Sequence, residues 1–87
     1  DLETKYYVRF IVADRPGVLA ACADIFAKNG VSVRTVTQRG NAAREDVDLV
    51  FVTHTAKEHD VRKTIDEILA LDGVVTGGEP SVIRVQG

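Results

Sequence analysis

Two periodicities of apolar residues alternate along this chain, and their order limits the folds that it can adopt. Between Lys5 and Ala13 every second residue is apolar, which is typical of a strand with one buried face. From Val18 the apolar residues recur every three or four positions, which predicts a helix that ends at Asn29-Gly30. Two further strands, a second helix and a last strand follow. We expect strands at about 5–13, 31–38, 46–54 and 74–85, and helices at about 16–29 and 56–71.

Local signals refine this order. The apolar phase slips near Arg34-Thr35, which predicts a β-bulge in the second strand. Thr55 and Glu58 have the spacing of a capping box at the start of the second helix. Gly77-Gly78 predicts an irregularity in the last strand. The order β-α-β-β-α-β predicts an α+β, ferredoxin-like fold, in which a four-stranded antiparallel sheet carries two helices on one face.

The length of 87 residues predicts a single domain over 1–87. A domain of this size buries only roughly 60–65% of its unfolded surface, so pairing with a second copy would add stability. The chain begins with Asp1 rather than Met, and we therefore expect it to be a piece of a longer protein.

Charge and composition exclude several functions. Eleven basic and thirteen acidic residues give a net charge of −2, which provides no field to attract nucleic acid or a membrane surface. No apolar run approaches the ~20 residues of a membrane span. A single cysteine, Cys22, excludes an internal disulfide and a multi-cysteine metal site, and a cytoplasmic location follows. The absence of a G-x-G-x-x-G motif argues against a nicotinamide site, and we expect no catalytic residue, metal or cofactor in this chain.

The segment from Asp14 to Leu19 is the part of the sequence most suited to bind a ligand. Gly17 has no side chain, so a small molecule can approach the backbone closely. The free amides of the first helical turn, at Val18 and Leu19, can bind a carboxylate, and Asp14 can accept a hydrogen bond from an ammonium group. A free amino acid requires this combination. The alternative is that Asp14 only caps the helix and Pro16-Gly17 only turns the chain.

The same segment carries a resemblance to the ACT domain family of regulatory modules. The similar parts are YYVRFIVADRPGVLA, the helix end AKNG and the strand VSVRTVTQRG. The resemblance implies that two copies pair and that an amino acid binds at their interface. It implies that Asp14 and the backbone of Gly17, Val18 and Leu19 form one wall of the site. Two further ligand-binding residues are implied on the following strand: Ser32, at a position that is often asparagine in relatives, and Gln38.

A closer resemblance is to the C-terminal regulatory domains of homoserine dehydrogenases, through VTQRG, LVFVTHT and SVIRV. It implies allosteric feedback control by threonine in the biosynthesis of threonine and methionine, with NAD(P) bound by the catalytic part of the parent oxidoreductase. Two alternatives stay open. In the first alternative, the chain is an ACT domain of another enzyme and binds serine or a branched-chain amino acid. In the second alternative, it is an oligomerisation module without a ligand.

Overall fold

The computed structural model describes residues 3–40 and 45–85. The sheet has five strands rather than the expected four because a two-residue strand precedes the second helix. The elements are β1 (Glu3–Ala13), α1 (Val18–Lys28), β2 (Val33–Gly40), β3 (Asp46–Thr53), β4 (Ala56–Lys57), α2 (Glu58–Leu69) and β5 (Ser81–Val85). The predicted ferredoxin-like architecture, an antiparallel sheet with two helices, is confirmed.

All strand pairs are antiparallel, and β1 is central to the sheet. It pairs with β3 on one side, with β5 along Lys5 to Arg9, and with β4 at its first two residues. The β2 strand pairs with β3 and forms an outer edge. The register of β2 shifts between Val33 and Thr35, so the predicted bulge is present.

The core lies between the sheet and the helices. The even-numbered residues of β1 from Tyr6 to Val12 and the odd-numbered residues of β3 are buried, because these positions face the same side of an antiparallel pair. Phe51 is at the centre, with its ring centroid 4.5 Å from that of Phe26 on α1 and 6.2 Å from that of Phe10 on β1. Among the described residues, fifteen apolar side chains form this cluster, to which α2 contributes Val61 and Ile68.

Both helices begin later than the sequence predicted. The capping box is wrong, because Lys57 is the N-cap of α2 and no side chain donates or accepts at this cap. The pairing of Ala56 and Lys57 with the start of β1 holds this stretch extended, so the helix starts only at Glu58. Helix α1 starts at Val18 after Gly17, and Pro16 therefore lies before its first turn.

The last strand is shorter than the predicted range 74–85. Val75 forms an isolated bridge with Val12, and regular pairing resumes only at Ser81. The expected irregularity lies between them at Gly77, where a Cβ atom would be 2.4 Å from the Cβ of Ile11. Only glycine fits this close approach of the two backbones.

Candidate functional site

A pocket of about 380 Å³ opens where the β1–α1 loop meets strands β2 and β3. The loop and the first turn of α1 form one wall, and Gln38 on β2 forms part of the opposite side. Helix-facing apolar residues form the floor. The lining residues are Val12, Ala13, Asp14, Arg15, Pro16, Gly17, Val18, Leu19, Gln38, Val47 and Leu49.

The backbone of Gly17 determines the shape of the loop wall. Its φ of 87° is in the left-handed region, which favours glycine over residues with a side chain. Among residues 3–40 and 45–85, no protein atom would lie within 4 Å of a Cβ atom at Gly17, so these residues leave the space beside it open. The residue therefore combines a required backbone conformation with access for a ligand.

The N-terminus of α1 supplies hydrogen-bond donors at this wall. No side chain caps the helix, and no acidic residue lies in its first turn. The Val18 amide is 3.4 Å from the Arg15 carbonyl oxygen, to which it donates, and the Ala21 amide donates to Gly17. The amides of Leu19 and Ala20 have no carbonyl acceptor within the helix. These donors and the positive end of the helix dipole favour a carboxylate.

Backbone and side-chain hydrogen bonds hold the loop that carries Asp14. The Asp14 amide donates to the Glu45 carbonyl, with a nitrogen–oxygen distance of 3.3 Å. The Arg15 guanidinium reaches in the other direction and donates to the Asp72 carbonyl oxygen, also at 3.3 Å. The Asp14 side chain is exposed and lines the pocket. Because Asp14 does not cap the helix, its carboxylate is available to a ligand.

The structure brings together five of the six residues that the sequence predicted for the site. Asp14, Gly17, Val18, Leu19 and Gln38 all line the pocket, whereas Ser32 does not. Ser32 lies beyond the C-terminal end of α1, in a shallow hollow formed with Ala23, Phe26, Ala27, Gly30, Val31 and Val33.

Six other lining residues were not among the predicted site residues, namely Val12, Ala13, Arg15, Pro16, Val47 and Leu49. Val47 and Leu49 form its floor, and Arg15 lies in its wall. The alternation of apolar residues on β3 was the available signal for the first two, because it places Val47 and Leu49 on the helix-facing side.

The model of the ACT domain family matches residues 6–73 of the chain. The chain belongs to the ACT domain family. The matched region includes most of β1, the pocket loop, both helices and the strands between them. Residues 3–40 and 45–85 include no helix long and apolar enough to cross a membrane.

Curated relatives of this ACT domain are homoserine dehydrogenases. That of Mycobacterium bovis is 43% identical over 90 aligned residues, covering 99% of this chain and 20% of the relative. That of Synechocystis is 40% identical and covers 98% of this chain and 19% of the relative. The chain therefore spans about a fifth of the length of these relatives.

Solved structures show the same similarity. A homoserine dehydrogenase from Thiobacillus denitrificans superposes with a TM-score of 0.83 at 35% identity, over 98% of this chain and 18% of that one. The regulatory subunit of aspartate kinase from Thermus thermophilus, in a ligand-free form, gives 0.71 at 20% identity, over 92% of this chain and half of that one. At that identity the second likeness concerns the fold alone.

Proposed function

We propose that this ACT domain binds threonine and thereby regulates a homoserine dehydrogenase of which it is a part. Its similarity to homoserine dehydrogenases over nearly its whole length supports the choice of parent enzyme. The observation that carries the ligand proposal is the pocket in which the β1–α1 loop and Gln38 face each other.

Each group of the amino acid has a complementary group in this pocket. The ligand carboxylate accepts hydrogen bonds from the first-turn amides at Leu19 and the neighbouring residues. Its ammonium donates to Asp14, and the Gln38 amide hydrogen-bonds to the hydroxyl group of the threonine side chain. Val47 and Leu49 lie under the ligand and contact its methyl group.

Regulation then follows from a shift in population. Threonine stabilises the conformation that binds it better, and the attached catalytic part changes activity with that conformation. A coupling free energy of ~1–3 kcal/mol is typical of such control. In this proposal homoserine and the nicotinamide cofactor, NAD(P), are bound by the catalytic part. The single cysteine forms no disulfide within the chain, in agreement with a cytoplasmic location.

Pairing of two copies belongs to the same proposal. Within the described residues, β2 and β5 each pair with one strand only, so each has an open edge. Ile83 on β5 is 57% exposed and Val82 is 45% exposed, which leaves apolar area at that edge. Strand pairing across β5 would cover this area and remove an unpaired edge.

The proposal is tested by thermal unfolding of the protein with a panel of free amino acids. Threonine at ~100 times its dissociation constant should stabilise the fold by ~2.7 kcal/mol. Stabilisation by serine or by a branched-chain amino acid instead would assign the domain to another ligand. No response to any amino acid would indicate an oligomerisation module.

Calorimetry on variants then tests the residues. Asp14→Ala should weaken threonine binding by ~1.5–3 kcal/mol, since it removes a hydrogen bond to a charged group. Gln38→Ala should cost less, ~1 kcal/mol, because the amide is neutral. Ser32→Ala is the matched control and should bind threonine like the parent. Loss of binding in Ser32→Ala would contradict a site built within one chain, since Ser32 would then reach the ligand from a second copy.

A further inference from the structure

A second pocket, of about 310 Å³, lies between α2 and the edge strand β5. It shares no lining residue with the pocket at the β1–α1 loop. One stripe of α2 forms one wall, the helix-facing side of β5 forms the other, and Tyr6 of β1 lies between them. The lining residues are Tyr6, Glu58, Val61, Arg62, Ile65, Asp66, Val82 and Arg84.

The charges around this second pocket balance. Two arginines and two carboxylates surround one small volume, so its net charge is zero. The Arg84 guanidinium donates to the Glu58 carboxylate, with a nitrogen–oxygen distance of 3.2 Å. This pair uses one nitrogen of a group that has five N–H donors, so Arg84 keeps donors for a ligand. Arg62 and Asp66 are exposed on the next turn of the helix.

The hydroxyl group of Tyr6 is the buried polar group at this pocket. Tyr6 is 2% exposed, and its hydroxyl oxygen has no hydrogen-bond partner among the described residues. Burial raises the pKa of the Tyr6 phenol, Glu58 raises it further and Arg84 lowers it. Glu58 and Arg84 line the same pocket as this phenol. A buried hydroxyl group without a hydrogen-bond partner destabilises the fold, and a polar ligand would supply that partner.

We propose that the second pocket binds a second zwitterion, an α-amino acid with a branched aliphatic side chain. Arg84 and the Tyr6 hydroxyl donate to its carboxylate, and Glu58 accepts from its ammonium. The aliphatic side chain packs along the apolar part of the wall, formed by Val61, Ile65 and Val82.

The chemistry of the walls favours this class over others. A phosphate or another multiply charged anion would lie beside two carboxylates, which repel it. An uncharged apolar ligand would displace water from the Arg84–Glu58 pair and the Tyr6 hydroxyl without forming hydrogen bonds to them. A ligand with one positive and one negative group matches the balanced charges, and the apolar side of the pocket matches its side chain.

The inference does not depend on threonine binding at the first pocket, and the two sites are separable by mutation. Titration of the ¹⁵N-labelled protein with L-valine, followed by NMR, should shift the backbone amides of Tyr6, Val61 and Arg84. Arg84→Met should reduce valine affinity about tenfold or more, since a charge-assisted hydrogen bond is lost. Arg34→Met removes an exposed arginine on β2 and should bind valine like the parent.

Tyr6→Phe is a second test that preserves the fold, because it removes only the unpaired oxygen. It should unfold at the same or a higher denaturant concentration than the parent but bind valine several-fold more weakly. Asp14→Ala should leave valine binding unchanged, whereas Arg84→Met should leave threonine binding at the first pocket unchanged. The oxo acid of valine, which lacks the ammonium group, should bind much more weakly than valine.

Three results would overturn the inference. One is the absence of shifts around the second pocket with valine, leucine and isoleucine. Another is valine binding that survives both Arg84→Met and Tyr6→Phe. The third is equal binding of valine and its oxo acid, which would show that no ammonium is recognised.

Discussion

Replacement of Gly17 by valine separates the role of this residue in the fold from its role at the ligand. Its φ of 87° is in the left-handed region. A residue with a side chain in this conformation lowers the stability of the fold by roughly 1–2 kcal/mol, and we expect a β-branched residue to be at the upper end of this range. No atom of the described residues lies within 4 Å of the new Cβ, so we expect the backbone conformation to account for most of the loss of stability. For a domain of this size each kcal/mol lowers the melting temperature by about 4–8 °C.

Gly17→Val should also weaken the affinity for threonine. The branched side chain would fill the open space beside the first-turn amides, where the ligand carboxylate is proposed to lie. We expect at least a tenfold loss of affinity, which is about 1.4 kcal/mol. Calorimetry should be performed at a temperature at which denaturant titration shows the variant to be folded.

Gly30→Val is the matched control. Gly30 has a φ of 75°, also has no protein atom within 4 Å of a Cβ position, and lies at the opposite end of α1. It should lose a similar amount of stability and keep threonine affinity. The proposed site would be refuted if folded Gly17→Val and folded Gly30→Val bound threonine equally well.

Three further predictions concern charge, reactivity and assembly. Hydrogen bonds from Lys28 and Asn29 lower the pKa of the Glu67 carboxyl in the folded protein. The ionised carboxylate therefore stabilises the fold at pH values above the ordinary glutamate pKa. This stabilisation is lost as the pH falls through the lowered pKa of the folded state. Urea midpoints measured against pH should therefore decline less in Glu67→Gln than in the parent. Burial raises the pKa of Cys22 to about 11. Iodoacetamide should therefore alkylate the thiol of the native protein only as fast as the protein unfolds locally. Rapid labelling, measured by mass spectrometry, would contradict this. Ile83→Arg on β5 should convert the dimer to a monomer, as measured by light scattering. Val36→Arg on β2, at the opposite edge, is the control and should leave the dimer intact. The reverse result would place the interface at β2.

The sequence predicted the order of the elements because each element has a strong local period. Its errors lie where a distant strand decides the local conformation. Thr55 and Glu58 have the spacing of a capping box, yet pairing of the intervening residues with Glu3 and Thr4 extends the chain there. Likewise, Val75 contacts Val12 but the chain then bulges away, which periodicity within one segment cannot show.

The sequence also did not predict the contacts between the two helices. The Asn29 side chain donates to the buried Thr64 hydroxyl and to the Glu67 carboxylate, with distances of 3.1 Å and 2.6 Å. The sequence indicated only that Asn29 precedes Gly30 at a helix end. Its long-range role depends on how α1 lies against α2, and neither helix specifies this alone.

Five of the six predicted site residues line one pocket, four of them because the loop wall is continuous in sequence, and the separate position of Ser32 follows from simple geometry. Helix α1 has 11 residues and is therefore about 16 Å long. The chain leaves its C-terminal end at Ser32 and returns along β2 at ~3.3 Å per residue, so it needs five or six residues to reach the level of the helix N-terminus. Gln38 lies six residues after Ser32 and pairs with Leu49 on the pocket floor. Element lengths therefore bring Gln38, and not Ser32, to the pocket that Asp14 lines.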